Sequence, residues 1–242
     1  MGVRFEIVDW AALAPGLVAR ADWQAWADAP WVPQGPLEAR LEAMPAMQRR
    51  RLNALGRAAA QVAWDCHSPL PETPVVFASG YGDAHRGLNL LKEFASTGEA
   101  APTDFALSVH NAIGAMYSIA RGDGAAYSSV AAGAASAAAG VLECCSLLAD
   151  GAQDALLVCY DSPLPGEYAA FHRETMGAYA WAWRIAAARD GRPHVSLDWS
   201  DADDGDEQQL PFGLQSLRFA VGSDRALSAV AEGTCWTWSR HA

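Results

Sequence analysis

The residues of this 242-residue chain best equipped for group transfer are five cysteines and six histidines. A cysteine attacks an acyl group as the thiolate, which a helix N-terminus or a nearby histidine can supply at neutral pH. Cys144 and Cys145 fall about ten residues into a predicted buried helix, where thiols are usually inert. The remaining three are Cys66, Cys159 and Cys235; the count is odd and no C-x-x-C spacing occurs, which argues against a disulfide framework and against a zinc site. Ser128 and Ser129 lack the G-x-S-x-G context of a serine hydrolase elbow. Gly80-Tyr81-Gly82 is a glycine turn after a strand, but the third-glycine position of a dinucleotide fingerprint holds His85. The acidic run Asp201, Asp203, Asp204, Asp206 and Glu207 alternates like a calcium loop without the glutamate at the twelfth position, and reads as a solvated loop. His110 beside Asn111 has two readings, an interface or pocket residue and a hydrogen-bonded structural histidine. No metal or cofactor is expected.

These residues sit on elements that alternate between strand and helix. Phe5 to Val8 reads as a short strand, followed by a tryptophan-rich segment (Trp10, Trp23, Trp26, Trp31) broken into loops by Pro30, Pro33 and Pro36. Leu41, Met44, Met47, Leu52 and Leu55 recur at roughly helical spacing and predict one helix over 37–66. Pro74 to Ala78 is a continuous apolar run, as in a strand buried on both faces of a sheet. Gly80 and Gly82 turn it into a helix over 84–96. A second unit follows: a strand over 126–132, a turn at Gly133, and a helix over 135–149 that is small or apolar nearly all round, hence buried on every side. Asp154 to Tyr160 is another buried strand. Strands over 179–186, 194–199 and 234–239 and a helix over 214–221 complete the chain. This alternation predicts a parallel or mixed sheet with helices on both faces.

Composition sets outer limits. Hydrophobic residues make up 51% and charged residues 19%, which excludes general disorder. The net charge of −11, with Lys92 the one lysine, disfavours nucleic acid and anionic membranes as ligands. No apolar stretch reaches the roughly 20 residues of a membrane span, and Met1 to Trp10 has no secretory pattern. A cytoplasmic location with reduced thiols is expected.

The stretch from Asp104 to Asp161 carries the most information. Asn111 opens a helix, Gly124 lies in a loop, a strand follows, and a small-residue helix starts after Gly133-Ala134; Gly151 then turns into the strand beginning at Asp154. This pattern resembles the nucleophile region of the β-ketoacyl-acyl carrier protein synthases, which have the thiolase fold. Laid on that family without a gap, from either Asn111 or Gly151, the nucleophilic cysteine falls on Ala134, with Gly133 as its neighbour. Neither has a nucleophilic atom. The family also uses two histidines and a lysine from its C-terminal half. Beyond Asp161 this chain has His172, His194 and His241 and no lysine. Ser108-Val-His-Asn-Ala and Val158-Cys-Tyr-Asp-Ser-Pro-Leu-Pro, with tryptophans near both ends, are closer still to short ketosynthase-like proteins described as chain length factors of aryl polyene-type clusters.

The resemblance implies a single thiolase-like domain over 1–242: a mixed sheet flanked by helices, with a ketosynthase-like half over 1–165 and a reduced, strand-rich remnant over 166–242. It implies a pseudo-enzyme that pairs with a catalytic ketosynthase, meets acyl carrier protein only through that partner, and shapes its acyl pocket. The residues it singles out for pocket or interface are Phe105, Ser108, His110, Asn111, Met116, Tyr117, Ser128 and Ser129. Such a permanent pairing buries roughly 2,000 Å² or more. The alternatives are a thiolase-fold acyltransferase or thioesterase acting on carrier-protein thioesters, and a homodimeric scaffold.

Overall fold

The computed structural model describes residues 2–67, 69–70, 72–172, 175–203 and 209–242. Its centre is β4 (Asp154–Asp161), an apolar strand buried along seven of its eight residues. Alternate residues of β4 serve two different cores. Leu156, Val158 and Tyr160 face one side, and Ala155, Leu157 and Cys159 face the other. A strand buried on both faces in this way must lie inside a layered sheet.

β4 pairs in parallel with β2 (Val75–Ala78), which pairs in parallel with β3 (Tyr127–Val130). On its other side β4 pairs antiparallel with β5 (Tyr179–Ala187). β1 (Gly2–Leu13) lies against β5, and β6 (His194–Asp201), β8 (Thr234–His241) and β7 (Ala226–Ala231) extend the same sheet antiparallel. The order of the eight strands is β3-β2-β4-β5-β1-β6-β8-β7. The sheet is therefore mixed, parallel at the β3 end and antiparallel elsewhere.

β5 shows how composition chooses the layers. Its Ala180 and Ala182 face α3 (Ala54–Asp65), whose own Ala58, Ala59 and Ala63 allow close approach. Its Trp181 and Trp183 face the opposite layer and stack with ring centroids 4.4 Å apart. That layer holds α1 (Arg20–Asp28), α7 (Ser136–Ala149) and α8 (Phe212–Val221), with Trp23, Trp26, Phe212 and Phe219 fully buried. The α3 face is completed by α6 (Ala112–Arg121).

Several expectations need correction. The predicted helix over 37–66 is two helices, α2 (Ala46–Arg49) and α3, because Pro45 opens the first and the Asn53 side chain caps the second by accepting from Gly56 N at 2.9 Å. The tryptophan-rich segment is not all loop: α1 forms in it and buries Trp23 and Trp26. α7 is enclosed over its first turns, but Ser146 and Ala149 are exposed. α5 (Pro102–Ser108) and β7 were not expected, and β1 is longer than expected. α4 (Ala84–Thr97) follows the glycine turn as expected. Of the acidic run, Asp204, Asp206 and Glu207 lie outside the described residues, and Asp201 ends β6. Among the described residues no helix is long and apolar enough to cross a membrane.

Candidate functional site

The parallel strands β2, β3 and β4 end together, and the loop between β3 and α7 forms an elbow there. Gly133 takes φ +54°, a left-handed conformation that favours glycine. Ser136, buried at the start of α7, holds the elbow from inside. Its Oγ accepts from Ala132 N at 3.0 Å and donates to Gly133 O at 2.7 Å. Both hydroxyl roles are used, so Ser136 is a brace rather than a nucleophile. Ala134 sits at the turn itself, and its N–H donates to Glu232 Oε1 at 3.0 Å.

The neighbouring strand ends are tied by Asp161, the last residue of β4. It accepts from Ser79 Oγ at 2.8 Å and from Gly80 N at 3.1 Å. Burial pushes its carboxyl up to about 6, against the hydrogen bonds of Ser79, Gly80, Tyr81 and Tyr179, which favour the ionised form. Gly80 in turn lies so close to Gly133 that a Cβ there would sit 3.0 Å from the Gly133 carbonyl oxygen. His110 reaches this region through the backbone: its Nε2–H donates to Ser79 O at 3.0 Å. The same carbonyl contact fits the structural reading of His110. His85 Nε2 similarly donates to Pro163 O at 2.9 Å.

Burial holds three of the five thiols in the protonated form. Burial raises Cys66 to about 12 and Cys145 to about 11, and pushes Cys144 up as well. Cys159 is buried in β4 and Cys235 is partly exposed on β8. The side chains contacting residues 132–134 through hydrogen bonds are Ser136 and Glu232. Among the described residues no group of three or more His, Cys, Asp or Glu is arranged for a metal ion.

The residues singled out from sequence divide into two sets. Phe105 is 60% exposed; Asn111 is exposed, and Ser108 and His110 are half-buried, all on or beside α5 and the start of α6. Ser128 and Ser129 are half-buried on β3, with Ser128 Oγ donating to Glu143 Oε1 at 3.4 Å. Met116 and Tyr117 lie in the α3-side core, and the Tyr117 ring packs edge-on against Phe77 and Trp64. Sequence reasoning missed Glu232, Asp161, Ser136 and a polar cluster at His67. There Arg121 donates to His67 Nε2. The ring proton is therefore on Nδ1, donating to Tyr117 Oη at 2.9 Å, and Tyr117 donates to Ala63 O at 3.3 Å. Burial, then the Arg121 guanidinium, lowers the His67 pKa.

Residues 23–239 match the family model described as the β-ketoacyl synthase N-terminal domain. The chain belongs to that family. No curated protein matches it. Among solved structures, it is similar to a chain from the ketosynthase ApeO in complex with its chain length factor ApeC from Xenorhabdus doucetiae, at 26% identity and a TM-score of 0.87, covering 98% of this chain and 100% of that one. The ishigamide ketosynthase/chain length factor matches at 15% identity and a TM-score of 0.62, over 83% of this chain and 68% of that one. A β-ketoacyl synthase from Burkholderia phymatum STM815 matches at 10% identity and a TM-score of 0.58, over 83% and 65%. The last two show the thiolase-like fold, which this β-ketoacyl synthase family member shares.

Proposed function

We propose that this chain is a non-catalytic ketosynthase-like subunit of the chain length factor type. It pairs with an active β-ketoacyl-ACP synthase in the cytoplasm and shapes that enzyme's acyl pocket, in aryl polyene, polyketide or fatty-acid-type synthesis. One observation carries the reading: the elbow that would present a nucleophile ends in the methyl group of Ala134. Claisen-type extension begins with acyl transfer to a thiolate, and a methyl group cannot accept an acyl chain. The raised thiol pKa values elsewhere support the same view and weigh against a thioesterase or acyltransferase using Cys144 or Cys145.

The partner is argued from the outer edge. β3 has a strand neighbour on one side only among the described residues. Elsewhere on the surface, α4 and α5 bury no residue fully, and Leu91, Phe94, Phe105 and Val109 are all at least 40% exposed. Apolar exposure on this scale marks an interaction surface. Phe105, Ser108, His110 and Asn111 are then the wall residues, and acyl carrier protein meets the complex through the less acidic ketosynthase.

The test is co-expression with a ketosynthase from the same source, followed by size exclusion and product analysis. A 1:1 complex is expected, with product length altered by Phe105→Ala. Phe105→Glu, which touches no core contact, should weaken pairing at least tenfold and leave the melting temperature of the isolated chain unchanged. Acyl transfer by the chain alone would refute the non-catalytic reading. A stable homodimer indifferent to ketosynthase would refute the pairing.

A further inference from the structure

Glu232 lies 98 residues beyond Ala134 in sequence, yet its carboxylate rests on the elbow. It occupies the first position of a two-residue hairpin turn, Glu232-Gly233, joining β7 to β8. Both residues have positive φ, +52° and +69°. A turn of this kind favours Asn, Asp or Gly at its first position, and a longer side chain held left-handed costs on the order of 1 kcal/mol. The turn therefore spends conformational strain on a residue whose side chain leaves the turn and reaches another element. The elbow is shaped to receive it. A Cβ on Gly133 would overlap Glu232 Oε1, so the glycine leaves the space the carboxylate fills.

The chemistry of the position explains what the carboxylate replaces. In acyl transfer at such an elbow, the oxygen of the tetrahedral intermediate becomes an anion and needs backbone N–H donors. Here the Ala134 N–H is taken by an oxygen that already carries negative charge and lies at the N-terminal end of α7, where negative charge is favoured. We infer that Glu232, although exposed, is an occupant supplied by the chain itself for the elbow's oxyanion position, a positioning residue that closes the corner to an acyl carbonyl and pins the β7–β8 hairpin to the β3–α7 loop. The inference rests on reading residues 133–134 as the nucleophile corner. It goes further in one respect: restoring the missing sulfur alone does not restore a reactive corner, because a thiolate there would lie next to the carboxylate that Ala134 N–H holds at the surface.

The experiment places a thiol on the elbow with A134C and compares it with A134C/E232Q. Iodoacetamide alkylation is followed by peptide mass spectrometry, which separates this thiol from the five native ones, between pH 6 and 10. A neighbouring like charge disfavours the thiolate. With Glu232 present, slow alkylation at pH 7.5 is expected. E232Q should accelerate it at least tenfold and lower the midpoint of the rate profile by one pH unit or more. Equal rates and superimposable profiles overturn the inference. Should A134C fail to fold, hydrogen exchange in the otherwise unaltered chain decides. The Ala134 amide should exchange at least tenfold faster in Glu232→Ala, and its proton resonance should titrate with acid only when Glu232 is present. Unchanged exchange and no titration would equally overturn it. Pairing with a ketosynthase is a separate measurement: a chain that ignores the ketosynthase but shows the Glu232 effect loses the subunit reading and keeps this one.

Discussion

Asp161→Asn isolates the electrostatics of the three strand ends. The carboxyl of Asp161 is buried and raised from an ordinary 3.8 to about 6 in the folded chain. A folded-state pKa above the unfolded one means that the folded form binds the proton more tightly. The resulting stabilisation is complete below about 3.8 and is lost as pH rises through about 6. At pH 7.5 both states are ionised and the proton contributes nothing. At pH 4.5 the ratio of proton-binding terms, folded to unfolded, is roughly 30, or about 2 kcal/mol. Asparagine keeps an oxygen to accept from Ser79 Oγ and Gly80 N but cannot titrate. The stability of the wild type relative to Asp161→Asn should therefore rise by about 2 kcal/mol on going from pH 7.5 to 4.5. With a urea slope of about 3 kcal/mol/M, that separates the two differences in midpoint by roughly 0.7 M. Other titrating groups are common to both proteins and cancel in the comparison. A difference between the two proteins that stays constant across this range would refute the reasoning, and one that changes in the opposite direction would reverse the sign of the Asp161 shift.

Two further outcomes follow from packing and charge. Gly140→Val drives side-chain atoms into the sheet, since a Cβ there already lies 2.5 Å from Leu157 Cδ1 and 3.0 Å from Ala78 Cβ; overpacking costs about 1–3 kcal/mol or more, read as a fall in melting temperature, and an unchanged melting temperature would show that α7 can move away. The lowered pKa of His67 implies stability that is present above about 6.5 and lost as pH falls below it, because a second donor on Nε2 would face Arg121. The groups around this ring are Arg121, Asp123, Asp154, Arg184 and Tyr117. His67→Gln should flatten the loss of stability between pH 7.5 and 5.5, and an unaltered slope would assign that loss to other groups.

What could be read from sequence was what local pattern alone decides. The run Ala155 to Tyr160 is apolar without interruption, and a strand between two layers buries it. The small residues from Ala135 onward announce a helix in close contact, which Gly140 against Leu157 realises. The turn at Gly133 could be read because it lies between two elements, β3 and α7, that are each well marked. The predicted helix over 37–66 failed because Leu41 to Leu55 has helical spacing while Pro45 and Asn53 impose two starts; the cap signal at Asn53 was present and outranks the periodicity. α1 was hidden by its flanking prolines and its short length. β7 has little bulk, Ala226-Leu-Ser-Ala-Val-Ala, and exists by pairing with β8. Glu232 was invisible for a different reason. Its role lies in a contact between distant segments, and only its place before Gly233 in a turn between two strands gives any local hint.

The sharp turn at the elbow calls for a structural cause, and Ser136 supplies one. Its buried Oγ satisfies the Ala132 N–H and binds the Gly133 carbonyl, two backbone groups that the sharp turn takes out of the sheet ladder. Ser136→Ala leaves the part-buried Ala132 N–H without that partner, while Gly133 O keeps the residue-136 backbone N–H at 3.3 Å, a loss of about 1–3 kcal/mol. For a chain of this length that is a fall of roughly 2–12 °C in melting temperature. The neighbouring ties are independent: Asp161 holds Ser79 and Gly80, and Glu232 holds Ala134. If the elbow is a structural joint between β3 and its surroundings, Ser136→Ala should also weaken pairing with the ketosynthase, because β3 is the free edge that the joint orients. Loss of stability with full pairing would mean that the edge is oriented by β2 alone. The elbow would then serve the fold rather than the interface.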